Sequence, residues 1–192
     1  MKRPRDAGIT LIEVMIVIAM TGIIAAMAVP SYQDMIERNR LKQAIESLQS
    51  DLQWMRTETI KQSCNLQASF TNGANWSYQI YIPPAAGTSC AVQHVNHGCP
   101  AAASANCNIK TVSSTQFTGT TMGTVTFFSA PTTGAEFDFR RGEAKRINNN
   151  SNNGRVELSS SNYKVKVVVA SVGRVRICNI SGSKGLSGYE NC

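Results

Sequence analysis

Three hydrophobic regimes succeed one another along the chain. Residues 9–29 (ITLIEVMIVIAMTGIIAAMAV) are a run of 21 positions holding a single charge, Glu13. As a helix this run is about 31 Å long, enough to cross a hydrocarbon core. Beyond it the apolar positions thin to Ile36, Leu41, Ile45, Leu48, Leu52, Met55 and Ile60, with charged residues between them. Their spacing of mostly three and four residues predicts an amphipathic helix that continues to about Lys61. Pro30 stands between the two regimes, where it removes one intrahelical hydrogen bond and predicts a kink. A coiled coil fits less well, because the repeat covers about three heptads before strand-like sequence begins.

After Cys64 the period shortens. Residues 76–82, 124–128, 136–140, 155–158, 163–170 and 174–178 are short β-rich runs bounded by turn residues, and predict antiparallel strands. Residues 83–107, rich in Ala, Gly, Pro and Cys, and the asparagine-rich 147–154 (INNNSNNG) predict loops. The expected fold class is α+β, with a long N-terminal helix whose second half packs on an antiparallel sheet. At 192 residues the chain has room for one globular domain and an appendage.

Charge and cysteines sharpen this division. Of the formal net charge of +7, residues 65–192 supply +6, from eleven bases and five acids, and ten of those bases lie between Arg140 and Lys184. So local an excess favours anionic partners, phosphate-rich ones among them. All six cysteines, Cys64, Cys90, Cys99, Cys107, Cys178 and Cys192, follow the apolar run. In an exported segment they read as disulfides, with fifteen full pairings open. Proximity in sequence favours Cys178 with Cys192, and two of Cys90, Cys99 and Cys107 together. The basic stretch MKRPRDAG ahead of the apolar run keeps the N-terminus cytoplasmic by the positive-inside rule and sends the rest outward. A secretory signal peptide fits poorly, since the run exceeds the usual apolar core and no small-x-small cleavage site marks its end.

Glu13 is costly where it stands, at about 2.5–3.5 kcal/mol or more for a carboxylate inside a membrane helix, so a partner is expected. Cleavage after Gly8 would free the amino group of Ile9 one turn away, and the amino group of a neighbouring subunit could meet the carboxylate. Gly8-Ile9-Thr10-Leu11-Ile12-Glu13-Val14, after a short basic leader and before an apolar run ending at Pro30, resembles the prepilin signature of type IV pilins and type II secretion pseudopilins. The resemblance implies a prepilin peptidase that cuts after Gly8 and methylates Ile9, with Glu13 serving assembly; Ile9 replaces the usual Phe. It implies four segments: a leader at 1–8, the transmembrane half of a spine helix at 9–29, its amphipathic half at 30–63, and a disulfide-containing β-rich head at 64–192. The partners it implies are other pilins through the N-terminal helix, the peptidase and the inner membrane. The head would sit in the periplasm before joining a pilus or pseudopilus filament.

Within the head, Phe137-Asp138-Phe139-Arg140-Arg141-Gly142 and Gly173-Arg174-Val175-Arg176 are similar to elements of the minor pilins grouped around GspH, FimT and FimU. The second resembles the GRxR motif of FimT-type pilins, which implies that Arg174 and Arg176 contact DNA during natural transformation. Strand geometry leads the same way, because residues two apart share a face and would present two guanidinium forks while Val175 and Ile177 face the core. Arginine suits phosphate, being permanently charged and capable of bidentate bonding. Lys164 and Lys166 on the preceding strand, and Arg140, Arg141, Lys145, Arg146 and Lys184, are further candidates. A charged strand edge that merely deters aggregation is the competing account.

Cys90, His94, His97 and Cys99 are metal-ligand types, but exported cysteines favour disulfides over zinc. No catalytic constellation stands out, and neither enzyme activity, cofactor nor metal is expected. The expected function is a minor type IV pilin that binds extracellular DNA for uptake. The alternative is a structural GspH- or FimU-like subunit of a pilus or type II secretion system that primes filament assembly.

Overall fold

The computed structural model describes residues 8–84, 90, 97–98, 106–127, 134–144 and 154–192. Two compact units divide the chain, Met1–Glu37 and Arg38–Cys192. Helix α1, Leu11–Gln62, begins in the first and ends in the second, with Pro30 inside it. Thr10 caps its start, its hydroxyl accepting a hydrogen bond from the Glu13 amide at 3.3 Å, so that Thr10-x-x-Glu13 has the sequence of a capping box. From Leu11 to Met27 the large apolar side chains are exposed. This is the one helix among the described residues long and apolar enough to cross a membrane.

In the second unit α1 buries a single stripe of Leu41, Ala44, Ile45, Leu48, Leu52, Met55 and Thr59. The expected stripe ended on Ile60, which is instead exposed. The register puts Thr59 inward, where its hydroxyl accepts a bond from the Leu66 amide at 3.3 Å just past the helix end.

Two four-stranded antiparallel sheets share a core with this stripe. The first comprises β1 (Gln67–Thr71), β2 (Ser77–Ile82), β3 (Cys107–Ser113) and β5 (Gly134–Glu136), in the order β3-β2-β1-β5. The second comprises β4 (Thr121–Thr126), β6 (Gly154–Ser159), β7 (Lys164–Val169) and β8 (Val175–Asn179), in the order β4-β6-β7-β8. Val156, Val167 and Ile177 form one inward row of the second sheet. Strands β1 and β3 are additions to the expected set. The expected strand at 136–140 is a correction: the ladder with β1 ends at Glu136, an isolated bridge joins Phe137 to Ala144, and Phe139–Arg141 enter a turn.

That turn has a local cause. The Asp138 carboxylate accepts hydrogen bonds from the amides of Arg140 (2.8 Å) and Arg141 (3.3 Å), offering the backbone an alternative to the ladder. Disulfides join Cys64 to Cys90 and Cys178 to Cys192, and Cys107 is also bridged. Cys90 therefore pairs back to the end of the helix rather than within its own loop. Cys99, His94 and most of the expected loops at 83–107 and 147–154 lie outside the described residues.

One carboxylate interrupts the apolar stripe. Asp51 is buried, and accepts hydrogen bonds from the Tyr78 hydroxyl of β2 at 2.7 Å and from the Lys110 ammonium of β3 at 2.6 Å. Burial first, and the bond to Asp51 second, hold the Tyr78 hydroxyl above its ordinary value near 10. A raised folded value means that Tyr78 contributes fully below the unfolded value and that this contribution is lost as pH climbs past it. Denaturant midpoints should therefore stay level as pH approaches 10 and fall above it. Tyr78→Phe should cost about 1–2 kcal/mol at neutral pH and show a shallower alkaline fall; an identical fall in the variant would assign it to other groups.

Candidate nucleic-acid interface

The β7–β8 hairpin builds the GRxR segment. Its last inward pair is Val169 with Val175, after which the Ala170 amide donates to the Arg174 carbonyl and the Gly173 amide to the Ala170 carbonyl, each at 2.8 Å. Three residues, Ser171, Val172 and Gly173, make the turn. Gly173 has φ +80°, the left-handed conformation that three-residue hairpins require. Its lack of a side chain is needed twice over, since a Cβ there would lie 1.9 Å from the Gly142 carbonyl oxygen and 2.6 Å from Arg56 Nε.

Arg56 of the helix explains that crowding. Its Nε donates to the Gly142 carbonyl at 2.7 Å and its Nη2 to the Val172 carbonyl at 3.3 Å. One guanidinium thus ties the 138–142 turn and the hairpin tip to the spine. A further bond from the Ala144 amide to the Ser171 carbonyl at 3.0 Å joins the two loops directly. Between them lies a cleft of about 430 Å³ lined by Arg140, Arg141, Asp138 and Glu143 among others. Two cations face two acids there, so the cleft itself has no excess positive charge.

Beyond the tip, β8 alternates. Val175 and Ile177 face the core, while Arg174 and Arg176 are exposed, and among the described residues neither arginine side chain makes a hydrogen bond or ion pair. Arg176 lies opposite Val168, and Lys166 opposite Cys178. Lys164 is at the far end of β7, where its amide donates to the Lys184 carbonyl at 3.0 Å, and the Lys184 ammonium rests 4.4 Å from the Tyr163 ring centroid.

The expected bases therefore separate by place. Arg174, Arg176, Lys166 and Lys164 share one outward face, with Lys164 at the end of β7 away from the hairpin tip, near Lys184; Arg140 and Arg141 line the cleft at the hairpin end. Lys145 and Arg146 lie outside the described residues. The sequence reading missed Arg155 on β6, which pairs with Val168 and so stands on the same face as Arg176. Its signal was the alternation Arg155-Val156-Glu157-Leu158. Lys110 and Arg56 are occupied by Asp51 and by carbonyls. At the other end of the chain Gly8, Ile9 and Glu13 are all exposed.

Residues 3–29 match the prokaryotic N-terminal methylation motif, and residues 44–173 match the type II transport protein GspH. Among curated proteins the chain is similar to the fimbrial protein EcpC of Eikenella corrodens, 57% identical over 37 residues, which are 19% of this chain and 24% of that protein. It is similar to a fimbrial protein of Moraxella nonliquefaciens, 60% identical over 37 residues, with the same two shares. The type IV major pilin protein PilE1 of Neisseria gonorrhoeae is 58% identical over 38 residues, 20% of this chain and 23% of that protein. The chain thus spans about a quarter of the length of the curated relatives it matches. No solved structure matches it.

Gly173→Ala tests whether the tip is held as tightly as its contacts imply. Left-handed backbone and a methyl driven into the Gly142 carbonyl should together cost about 2–4 kcal/mol. A thermal melt should show a clearly lowered Tm. An unchanged Tm would mean that the two loops separate freely and that Arg56 does not fix them.

Proposed function

The chain belongs to the family of the type II transport protein GspH, and on that footing we propose that it is a minor type IV pilin whose head binds extracellular DNA, without regard to sequence, for uptake in natural transformation. The observation that carries this reading is the pair Arg174 and Arg176, exposed, without side-chain partners among the described residues, and mounted on a hairpin that Arg56 secures. Two guanidinium forks two residues apart on a strand are about 6.6 Å apart at their Cα atoms, and can engage phosphate oxygens side by side. Such contacts position a protein on nucleic acid and read no bases.

The N-terminal proposals follow from the methylation motif at residues 3–29. Prepilin peptidase cuts after Gly8 and methylates Ile9. The apolar helix anchors the chain in the inner membrane with the head in the periplasm, and later joins a pilus or pseudopilus. Glu13 at the third helical position gains from the helix dipole about 0.3–1 kcal/mol, which does not offset the about 2.5–3.5 kcal/mol of placing a carboxylate in a membrane. A partner amine, that of Ile9 on a neighbouring subunit, would remove the difference and make Glu13 an assembly residue. A second reading rests on the GspH match itself: a pseudopilin of type II secretion, or a FimU-like pilin, priming a filament with the basic face serving subunit contacts.

Mass spectrometry of the filament-associated protein should give an N-terminus at methylated Ile9; one near residue 30 would indicate an ordinary signal peptide. Titration of the detergent-solubilised chain with duplex DNA tests the head. Arg174→Ala with Arg176→Ala should weaken binding on every sequence alike and flatten the slope of log affinity against log salt by up to about 1.8, roughly 0.9 for each lost phosphate contact. Circular dichroism should show an unchanged fold. Equal affinities and slopes would favour the structural pilin.

A further inference from the structure

We infer that the DNA contact runs across the second sheet from β8 to β6, with Arg155 as its far anchor, and that Glu157 is a built-in brake on its strength. This rests on the DNA-binding function proposed above and names residues that the GRxR segment does not contain.

The geometry is one of registers. Val168 pairs on one side with Arg176 and on the other with Arg155, so the three form a row perpendicular to the strands. With strands about 4.8 Å apart, the two arginine Cα atoms are roughly 10 Å from each other. The valine between them is short, and leaves a trough flanked by two cations. The same face carries Arg174 just ahead of β8, and Lys166 and Lys164 on β7, so five bases stand in two directions: along the strands and across the sheet. A phosphodiester backbone laid over the trough can meet Arg176 and Arg155 in succession. The hairpin pair alone offers one direction of contact, and the row supplies the second.

One acid occupies this face. Glu157 lies directly opposite Lys166 in the β6–β7 register, and its Oε1 is 3.7 Å from Arg155 Nε. Phosphate approaching Arg155 must compete with that carboxylate and is repelled by it. The outward positions of β6 to β8 between Arg155 and Arg176 hold no aromatic side chain. Base stacking therefore adds nothing to offset the acid, and affinity depends on the local count of charges. Glu157 holds that count down, which keeps attachment reversible.

The test compares the full chain in detergent with Arg155→Gln, Glu157→Gln, and the Arg174→Ala/Arg176→Ala pair, titrated with a short duplex at several salt concentrations. Arg155→Gln should weaken binding and flatten the salt slope by about 0.9. Glu157→Gln should tighten binding by about fivefold, the equivalent of one charge pair a few ångströms apart in water. In a chain that combines Arg155→Gln with Glu157→Gln that gain should shrink, since the carboxylate acts partly through Arg155. Glu157→Gln is isosteric and Arg155→Gln shortens a side chain that is exposed on an outward face, and a thermal melt checks that each variant is folded. If the Arg174/Arg176 pair matters while Arg155→Gln and Glu157→Gln bind as wild type does, the track across the sheet is overturned and the hairpin contact stands. If the wild-type chain binds no duplex at all, both readings fall together.

Discussion

The head depends on one stripe of one helix. Leu41, Ala44, Ile45, Leu48, Leu52 and Met55 are almost wholly removed from solvent, in one cluster with the inward faces of both sheets. Each large side chain so buried is worth about 1.5–3 kcal/mol, and no other element contributes as many to the shared core. Sheet pairing between the two layers is slight by comparison: Gly73 and Met122 exchange two backbone bonds where the loop after β1 meets β4. Without the helix, each four-stranded sheet would keep an apolar face with little to cover it. The head is therefore a helix wrapped by strands, and whatever orients the helix orients the head's surface.

Polar ties then fix what apolar burial leaves free. A hydrophobic stripe is tolerant of sliding, because one methyl contact resembles the next. Asp51 is not tolerant: it must find both Tyr78 and Lys110, or remain a buried charge. Arg56 does the same on the other side, with two carbonyls from two loops as its targets. The pair specifies register and rotation of the helix against the first sheet and against the hairpin end of the second.

Much of this was legible in the sequence, and the failures have physical reasons. The helix end fell within a residue, because three- and four-residue spacing continues to it, and Arg174-Val175-Arg176-Ile177 alternated as a half-buried strand should. Strand β1 was invisible because QASFT offers only Ala68 and Phe70 to the core. Strand β3 was invisible because its register shifts between Ile80 and Tyr81 of its partner, which breaks the two-residue period. The turn at Asp138 was taken for strand, although an aspartate followed by Gly142 was the available signal. Proximity picked out Cys178 with Cys192 but named no partner for Cys64, because the entropy of closing a loop grows only slowly with its length and does not single out Cys90. Arg155 was missed for a different reason. The alternation Arg155-Val156-Glu157-Leu158 marks it as outward, but its partners come from β7, and β6 alone does not say which face of the sheet also carries the GRxR arginines.

That last point separates basic residues that look alike in a composition count. Arg56, Lys110 and Lys184 are engaged by carbonyls, a carboxylate and an aromatic ring, and to bind a ligand they would first have to give up those partners. Arg140 leans over Phe139 with its centre 5.5 Å from the ring centroid, and lines a cleft that also holds Asp138 and Glu143. Arg174 and Arg176 stand on a strand whose inward neighbours are buried, so their backbone is ordered while their donors face water. An ordered backbone lowers the entropy lost on contact, and donors without protein partners give up only water to meet phosphate. Net charge would draw an anion toward the head from a distance; under the DNA-binding proposal, this difference in prior engagement is what would decide where on the head it comes to rest.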